Sequence, residues 1–252
     1  MRILVKFAYL GWKYTGFQRG NGYASVEDAI LEAIDTNHLG KGFRSAARTD
    51  RGVSAAGNVF SLDTEYRPSR ITGILNSQVR DMVFHHYATV PDLFDCRKCL
   101  SKQYTYYLDP GAVDVPSFRE RLARFQGNHD FSSFCRRDGR NTVRSIDSIE
   151  VATENGLVRA DFHSRGFLWN QIRSIVAFAA SPDRDLPLDP FDFKGRFPYL
   201  WGTDGLFLTD ITYENVSFHP SVSRKSRANL SRMAIRNYAD HSILRQLAEV
   251  SL

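Results

Sequence analysis

Apolar and polar positions recur along this chain with periods that divide it into short elements. Residues 3–10 (ILVKFAYL) are rich in β-formers and predict a strand. Ser25 stands directly before VEDAILEAID, in which Ile30, Leu31 and Ile34 share one face at helical spacing, and its hydroxyl is placed to cap that helix. Residues 43–49 and 57–63 predict two more strands on either side of an Asp50-Arg51-Gly52 turn. Pro68–Asn76 predicts a second helix, and Met82–Val90 predicts another strand.

The order strand–helix–strand–strand–helix–strand is that of a ferredoxin-like split βαβ unit. Past residue 95 the ingredients recur with insertions. Lys102–Leu108 alternates as a strand, and Phe118–Phe125 reads as a helix start. The β-rich runs Val143–Thr153 and Leu157–His163 are joined by Glu154-Asn155-Gly156, and Asn-Gly is a hairpin signal. Leu168–Ala180 reads as an apolar helix, Leu206–Tyr213 as a closing strand, and the proline-rich residues 181–198 as an irregular connection. The expected fold class is α+β: two ferredoxin-like (RRM-like) halves, residues 1–95 and 96–220, with mostly antiparallel sheets and an active-site cleft between them. Residues 221–252 form an expected basic amphipathic helical extension, with Leu230, Met233, Tyr238, Leu244 and Leu247 near helical spacing.

Composition narrows the class. At 252 residues with 42% hydrophobic and 24% charged positions, the chain has the make-up of a soluble globular protein and not of a disordered one. No apolar run approaches the ~20 residues of a membrane span. Lys6 and Lys13 interrupt the apolar N-terminus, so no signal-peptide core forms. Three cysteines make no disulfide framework, which fits a reducing compartment and predicts a cytoplasmic protein. The net charge is +5, of which residues 221–252 carry +4, so the body must grip any acidic partner through local patches. Those patches (Arg44/Arg48/Arg51, Arg97/Lys98/Lys102, Arg119/Arg121/Arg124 and Arg136/Arg137/Arg140/Arg144) are mostly arginine, whose fork pairs bidentately with phosphate or carboxylate. They point toward nucleic acid; singly, each also reads as a solvated face.

The densest chemistry lies in Ser45-Ala-Ala-Arg-Thr-Asp-Arg-Gly-Val-Ser-Ala-Ala-Gly-Asn58. Arg48 and Arg51 flank Asp50, and two cations hold a carboxylate ionised, as a nucleophile or base requires. The small residues around it leave room for a bulky substrate. The same Asp-x-Gly is also what a plain turn looks like. Cys96-Arg-Lys-Cys99 is half a zinc site, for which Cys135, His129 or His85-His86 would have to complete the set. Without a second pair the cysteines read as small buried hydrophobes, and no metal is expected.

The Asp50 loop closely resembles the catalytic loop of the tRNA pseudouridine synthase A (TruA) family, whose pattern Ala47-Arg-Thr-Asp50-Arg-Gly-Val-Ser-Ala-Ala-Gly-Asn-Val59 follows. Further stretches match in order: Thr15-Gly-Phe-Gln-Arg19, Leu75-Asn76, Lys102-Gln-Tyr-Thr-Tyr106, Gly127-Asn-His-Asp-Phe-Ser-Ser-Phe134, Gly166-Phe-Leu-Trp-Asn-Gln-Ile-Arg-Ser-Ile-Val176 and Gly205-Leu-Phe-Leu208. Together they cover residues 3–215. The chain departs from the family pattern at Ser54, where His is usual, at Asn58, where Gln is usual, and at Val79–Val83, which lacks a proline; residues 221–252 offer no counterpart to quote. The resemblance implies isomerisation of uridine to pseudouridine in the anticodon stem-loop of tRNA, at positions 38–40, by a homodimer; the apolar Leu168–Ala180 region and nearby strands are expected to help form its contact. It implies Asp50 as nucleophile on either base or sugar, Arg173 as its counter-ion, Tyr104 as the residue stacking the detached uracil, and Arg48 as the side chain filling the hole left by the flipped base. Arg51 and Gln18 are the further substrate-binding candidates. A redox-neutral rearrangement calls for no cofactor.

Two other functions compete on the residues alone. A non-catalytic RNA-binding protein could use the same halves as a platform, but has no need of a carboxylate caged by arginines. A retaining glycosidase needs a second nearby carboxylate, for which Asp63 and Glu65 are the nearest in sequence.

Overall fold

The computed structural model describes residues 1–20, 24–183 and 185–221. In chain order these form β1 (Arg2–Tyr9), α1 (Val26–Thr36), β2 (Lys41–Ser45), β3 (Ser54–Asp63), α2 (Pro68–Gln78), β4 (Met82–Val90) and β5 (Ser101–Leu108). There follow α3 (Val115–Ala123), β6 (Gly127–Asp130), β7 (Val143–Ile146), β8 (Ser148–Glu154), β9 (Leu157–Ser164), α4 (Gln171–Ala179), β10 (Leu206–Thr212) and β11 (His219–Pro220). The expected extension lies outside the described residues except for Ser221.

The architecture is α+β, and one mostly antiparallel sheet runs β11-β4-β1-β3-β10-β5-β9-β8, with β2 pairing β3 off that path. The same order occurs twice within it: β4-β1-β3-β2 and then β10-β5-β9-β8. The two sets meet on one edge of β3. Its distal part pairs β2 (Arg44 opposite Ser61), while its first residues pair β10 in parallel, Ser54 opposite Phe207 and Ala55 opposite Leu208. Parallel pairing sets the beginnings of β3 and β10 side by side, so the loops that precede them, around Asp50 and Thr203, emerge together.

Local signals account for the element ends. Ser25 and Asp28 form a capping box at α1, the Ser25 hydroxyl accepting from the Asp28 N–H at 3.0 Å. Asn155 and Gly156 take the left-handed conformation (φ 53° and 77°) that the β8–β9 hairpin requires. Five expected elements differ, two of them by starting early: the strand expected over 57–63 begins at Ser54, where it meets β10, and the helix expected from Phe118 begins at Val115 behind its Asp114 cap. The strand expected over 43–49 ends at Ser45; Ala46 still donates to the Val59 carbonyl (2.8 Å), and the chain then peels away to wrap Asp50. The strand expected over Val143–Thr153 breaks at Asp147 because its halves pair different partners, β7 with β6 and β8 with β9. The helix expected from Leu168 starts at Gln171, since Asn170 is left-handed at φ 65°.

Two hydrophobic cores result. Ile3, Val5, Phe7, Ile30, Phe60, Ile71 and Phe84 pack one, and Phe118, Phe125, Phe134, Phe162, Ile175 and Phe178 pack the other. β10 joins them, Leu208 and Ile211 entering the first and Leu206 the second. All of α4 except Arg173 is buried within this single chain, so its apolar residues are taken up by internal packing. Among the described residues no helix is long and apolar enough to cross a membrane.

Candidate active site

Above the start of β3 and β10 lies a cleft of about 580 Å³ lined by Trp12, Tyr14, Asp50, Arg51, Gly52, Trp169, Asn170, Arg173, Thr203 and Asp204. That volume accommodates a nucleotide-sized ligand. Asp50 reaches it from a loop tied down at several points. Phe17 N–H donates to the Thr49 carbonyl (3.1 Å), and Val53 N–H to that of Asp50 (3.2 Å). Buried Asn58 donates to the Ala47 carbonyl (3.1 Å), Lys102 Nζ to that of Ala46 (2.8 Å), and Tyr9 and Thr49 join hydroxyls at 2.8 Å. Gly52 closes the turn at φ 87°, and a Cβ there would stand 2.5 Å from Thr203 Oγ1.

Arg173 comes from α4 and is fixed before it meets the carboxylate. Its Nε donates to the Trp201 carbonyl (2.9 Å) and its Nη1 to Asn170 Oδ1 (3.3 Å). Nη1 also stands 3.6 Å from Asp50 Oδ2, the side chains being 19% and 31% exposed. Burial pushes the Asp50 carboxyl above its ordinary range; the Arg173 guanidinium opposes this, and the neighbouring Trp169 side chain opposes it further. The result is a partly desolvated carboxylate with one fixed cation and an indole in the same cleft lining. Such a group is poorly solvated and therefore more nucleophilic than a surface aspartate.

Of the residues singled out in the sequence, Asp50, Arg51 and Arg173 share the cleft. Tyr104, on β5 opposite Leu208, is half-buried with its ring edge-to-face on Phe167 at 5.3 Å; burial raises its phenol far above the ordinary value, with Tyr9 and Asp50 adding to this. Arg48 and Gln18 are not among the described residues lining the cleft; they pair with each other at 3.1 Å. Sequence reasoning missed Trp12, Trp169 and Thr203, which no local spacing connects to Asp50. Asn170, left-handed at φ 65°, directly follows Trp169, and both line the cleft.

The rival groups named from the sequence lie elsewhere, and the second carboxylate in the cleft lining is Asp204. Asp63 is taken by Arg2, with contacts of 2.7 and 2.9 Å, and so offers no second carboxylate to Asp50. Cys96 and Cys99 donate to the Arg44 and Arg165 carbonyls, and among the described residues no group of three or more potential ligands could hold a metal.

A family model described as tRNA pseudouridine synthase matches residues 122–189, the stretch that carries Trp169 and Arg173 but not Asp50. The chain is 43% identical over 213 residues to the tRNA pseudouridine synthase A of Thermoplasma acidophilum, covering 84% of each chain. It is 40% identical over 218 residues to that of Picrophilus torridus, covering 86% of this chain and 84% of the other. Similarity to the enzyme of Pyrococcus furiosus extends further, with 35% identity over 260 residues, 99% of this chain and 97% of that one. The last match runs through the basic C-terminal segment, which therefore has a counterpart in a relative.

Proposed function

The chain belongs to the tRNA pseudouridine synthase A family, and on that premise we propose that Asp50 is the nucleophile with which this isomerase converts uridine to pseudouridine in tRNA. The N1–C1′ glycosidic bond breaks, the uracil turns, and a C5–C1′ bond forms; C5 gives up its proton and N1 takes one up. Nothing is added or oxidised, so the balance requires no co-reactant. Asp50 supplies the attacking oxygen, on base or sugar.

The observation that carries this reading is the Asp50–Arg173 pair in an open, nucleotide-sized cleft. Arg173, anchored on the Trp201 carbonyl, keeps the carboxylate ionised, and Trp169 acts in the same direction. Tyr104 stacks the detached uracil. Arg48, aligned by Gln18, occupies the place of the flipped base, and Arg51 takes an adjacent phosphate. The repeated strand order supports two ferredoxin-like halves, divided near residue 95, with the cleft between them. The anticodon arm, at positions 38–40, is the site we assign in the tRNA, and a cytoplasmic homodimer the working form; three free cysteines are consistent with that compartment.

The test uses a tRNA transcript tritiated at uridine C5, with no cofactor added. The wild type releases tritium, and mapping the product places it in the anticodon arm. Asp50→Asn keeps shape and binds the transcript, because affinity rests on phosphates elsewhere, yet releases none. Release by a folded Asp50→Asn protein would overturn the assignment.

A further inference from the structure

Two of the chain's three tryptophans, Trp12 and Trp169, line this cleft, and the third, Trp201, packs against the second core. Trp201 holds Arg173 through its carbonyl, and Trp169 acts on the Asp50 carboxyl. Trp12 does neither. It lines the cleft at 69% exposure and belongs to neither hydrophobic core. An indole is among the costliest side chains to leave in water, and its place beside a nucleophile asks for an occupant.

The turn that carries Trp12, Gly11–Lys13, is held rigidly against the Asp50 loop. Gly11 N–H donates to Ser54 Oγ at 3.0 Å, and a Cβ on Gly11 would fall 2.3 Å from the Val53 carbonyl carbon, so backbone rests on backbone. Lys13 ties the other end of the turn to Asp81, while its Nζ lies 5.3 Å from the Trp12 ring centroid. A flat apolar face is thus presented in advance, with a cation beside it and no core packing of its own.

We propose that Trp12 is a stacking platform for the nucleobase adjacent to the target uridine. This rests on the reading of the cleft as an RNA site. Extruding the uridine breaks its neighbour's stack, and an exposed indole beside the nucleophile replaces the lost partner. The platform is tolerant of base identity, because every base has a π-face and the indole N–H is its only polar group.

Trp12→Ala, Trp12→Leu and Trp12→Phe separate stacking from mere apolar contact. Binding of an unmodified tRNA transcript weakens about tenfold in the Ala and Leu variants, and Phe recovers most of it. The loss falls on Kd rather than on the saturated single-turnover rate. The slope of log K against log salt stays as in the wild type, since no phosphate contact is removed. Tryptophan emission is quenched as the transcript binds, and Trp12→Phe removes part of that quench. Leu binding as well as Phe, or Ala binding as well as Trp, would overturn the proposal. Because these readouts are of binding, a wild type that binds but releases no tritium would refute the synthase reading and leave the platform standing.

Discussion

The Asp50–Arg173 pair makes a prediction whose size follows from geometry. At 3.6 Å two unit charges attract by about 1 kcal/mol in bulk water and about 5 kcal/mol at an effective dielectric of 20. With the side chains 31% and 19% exposed, the site lies between these limits, and a coupling of ~1–3 kcal/mol is expected. A double-mutant cycle with Asp50→Asn and Arg173→Met isolates it, because the Trp201 and Asn170 bonds lost with Arg173 cancel between the arms. The sign is set by burial, which outweighs Arg173 and raises the Asp50 pKa. A raised carboxylate penalises the native state above that pKa and costs nothing below the unfolded value of about 3.9. Asp50→Asn should therefore raise Tm at neutral pH, raise it by several degrees more in the Arg173→Met background, and lose both effects as pH falls toward 4. Thermal unfolding from pH 4 to 7.5 measures this. Additivity within about 0.5 kcal/mol, or a destabilising Asp50→Asn in the Arg173→Met background at neutral pH, would refute an interacting pair.

Gly52→Ala should cost about 1–2 kcal/mol from its left-handed backbone and more from Thr203; adding Thr203→Ala recovers only the second part, which paired melting curves resolve. His85 and His86 join their Nδ1 atoms at 2.6 Å, and His85 Nε2 donates to the Ala56 carbonyl, so His86 must be the donor to His85 and the bond fails once both rings are charged. Desolvation lowers both pKa values, so the unfolded chain binds more protons and stability falls as pH drops below about 6.5. His86→Asn, which keeps a donor and does not titrate, should lessen the loss of Tm between pH 7 and 5; an unchanged slope would exclude the pair as its source.

What could be read in the sequence had its cause within a few residues. Ser25 with Asp28, Pro68, and Asn155-Gly156 each decide their own backbone, and the elements they bound are where they were expected. The misplaced ends have distant causes. Nothing in residues 43–49 reports that Asn58, Tyr9 and Lys102 will hold residues 46–49 out of the sheet. Nothing in 143–153 reports that two strands compete for its halves at Asp147. The same holds for the site. Asp50 stood out through the family resemblance of its loop, but the flanking arginines are not what hold it, Arg48 pairing with Gln18 instead; the residues that condition it arrive because β3 changes partner along one edge, β2 on one stretch and β10 at its beginning. Parallel pairing there sets Gly52 against Thr203 and opens the Asp50 loop toward α4, and Trp169 and Arg173 come with that helix. A carboxylate on the first core therefore acquires its counter-ion and its neighbouring indole from elements packed on the second, so the cleft chemistry depends on both cores being folded together.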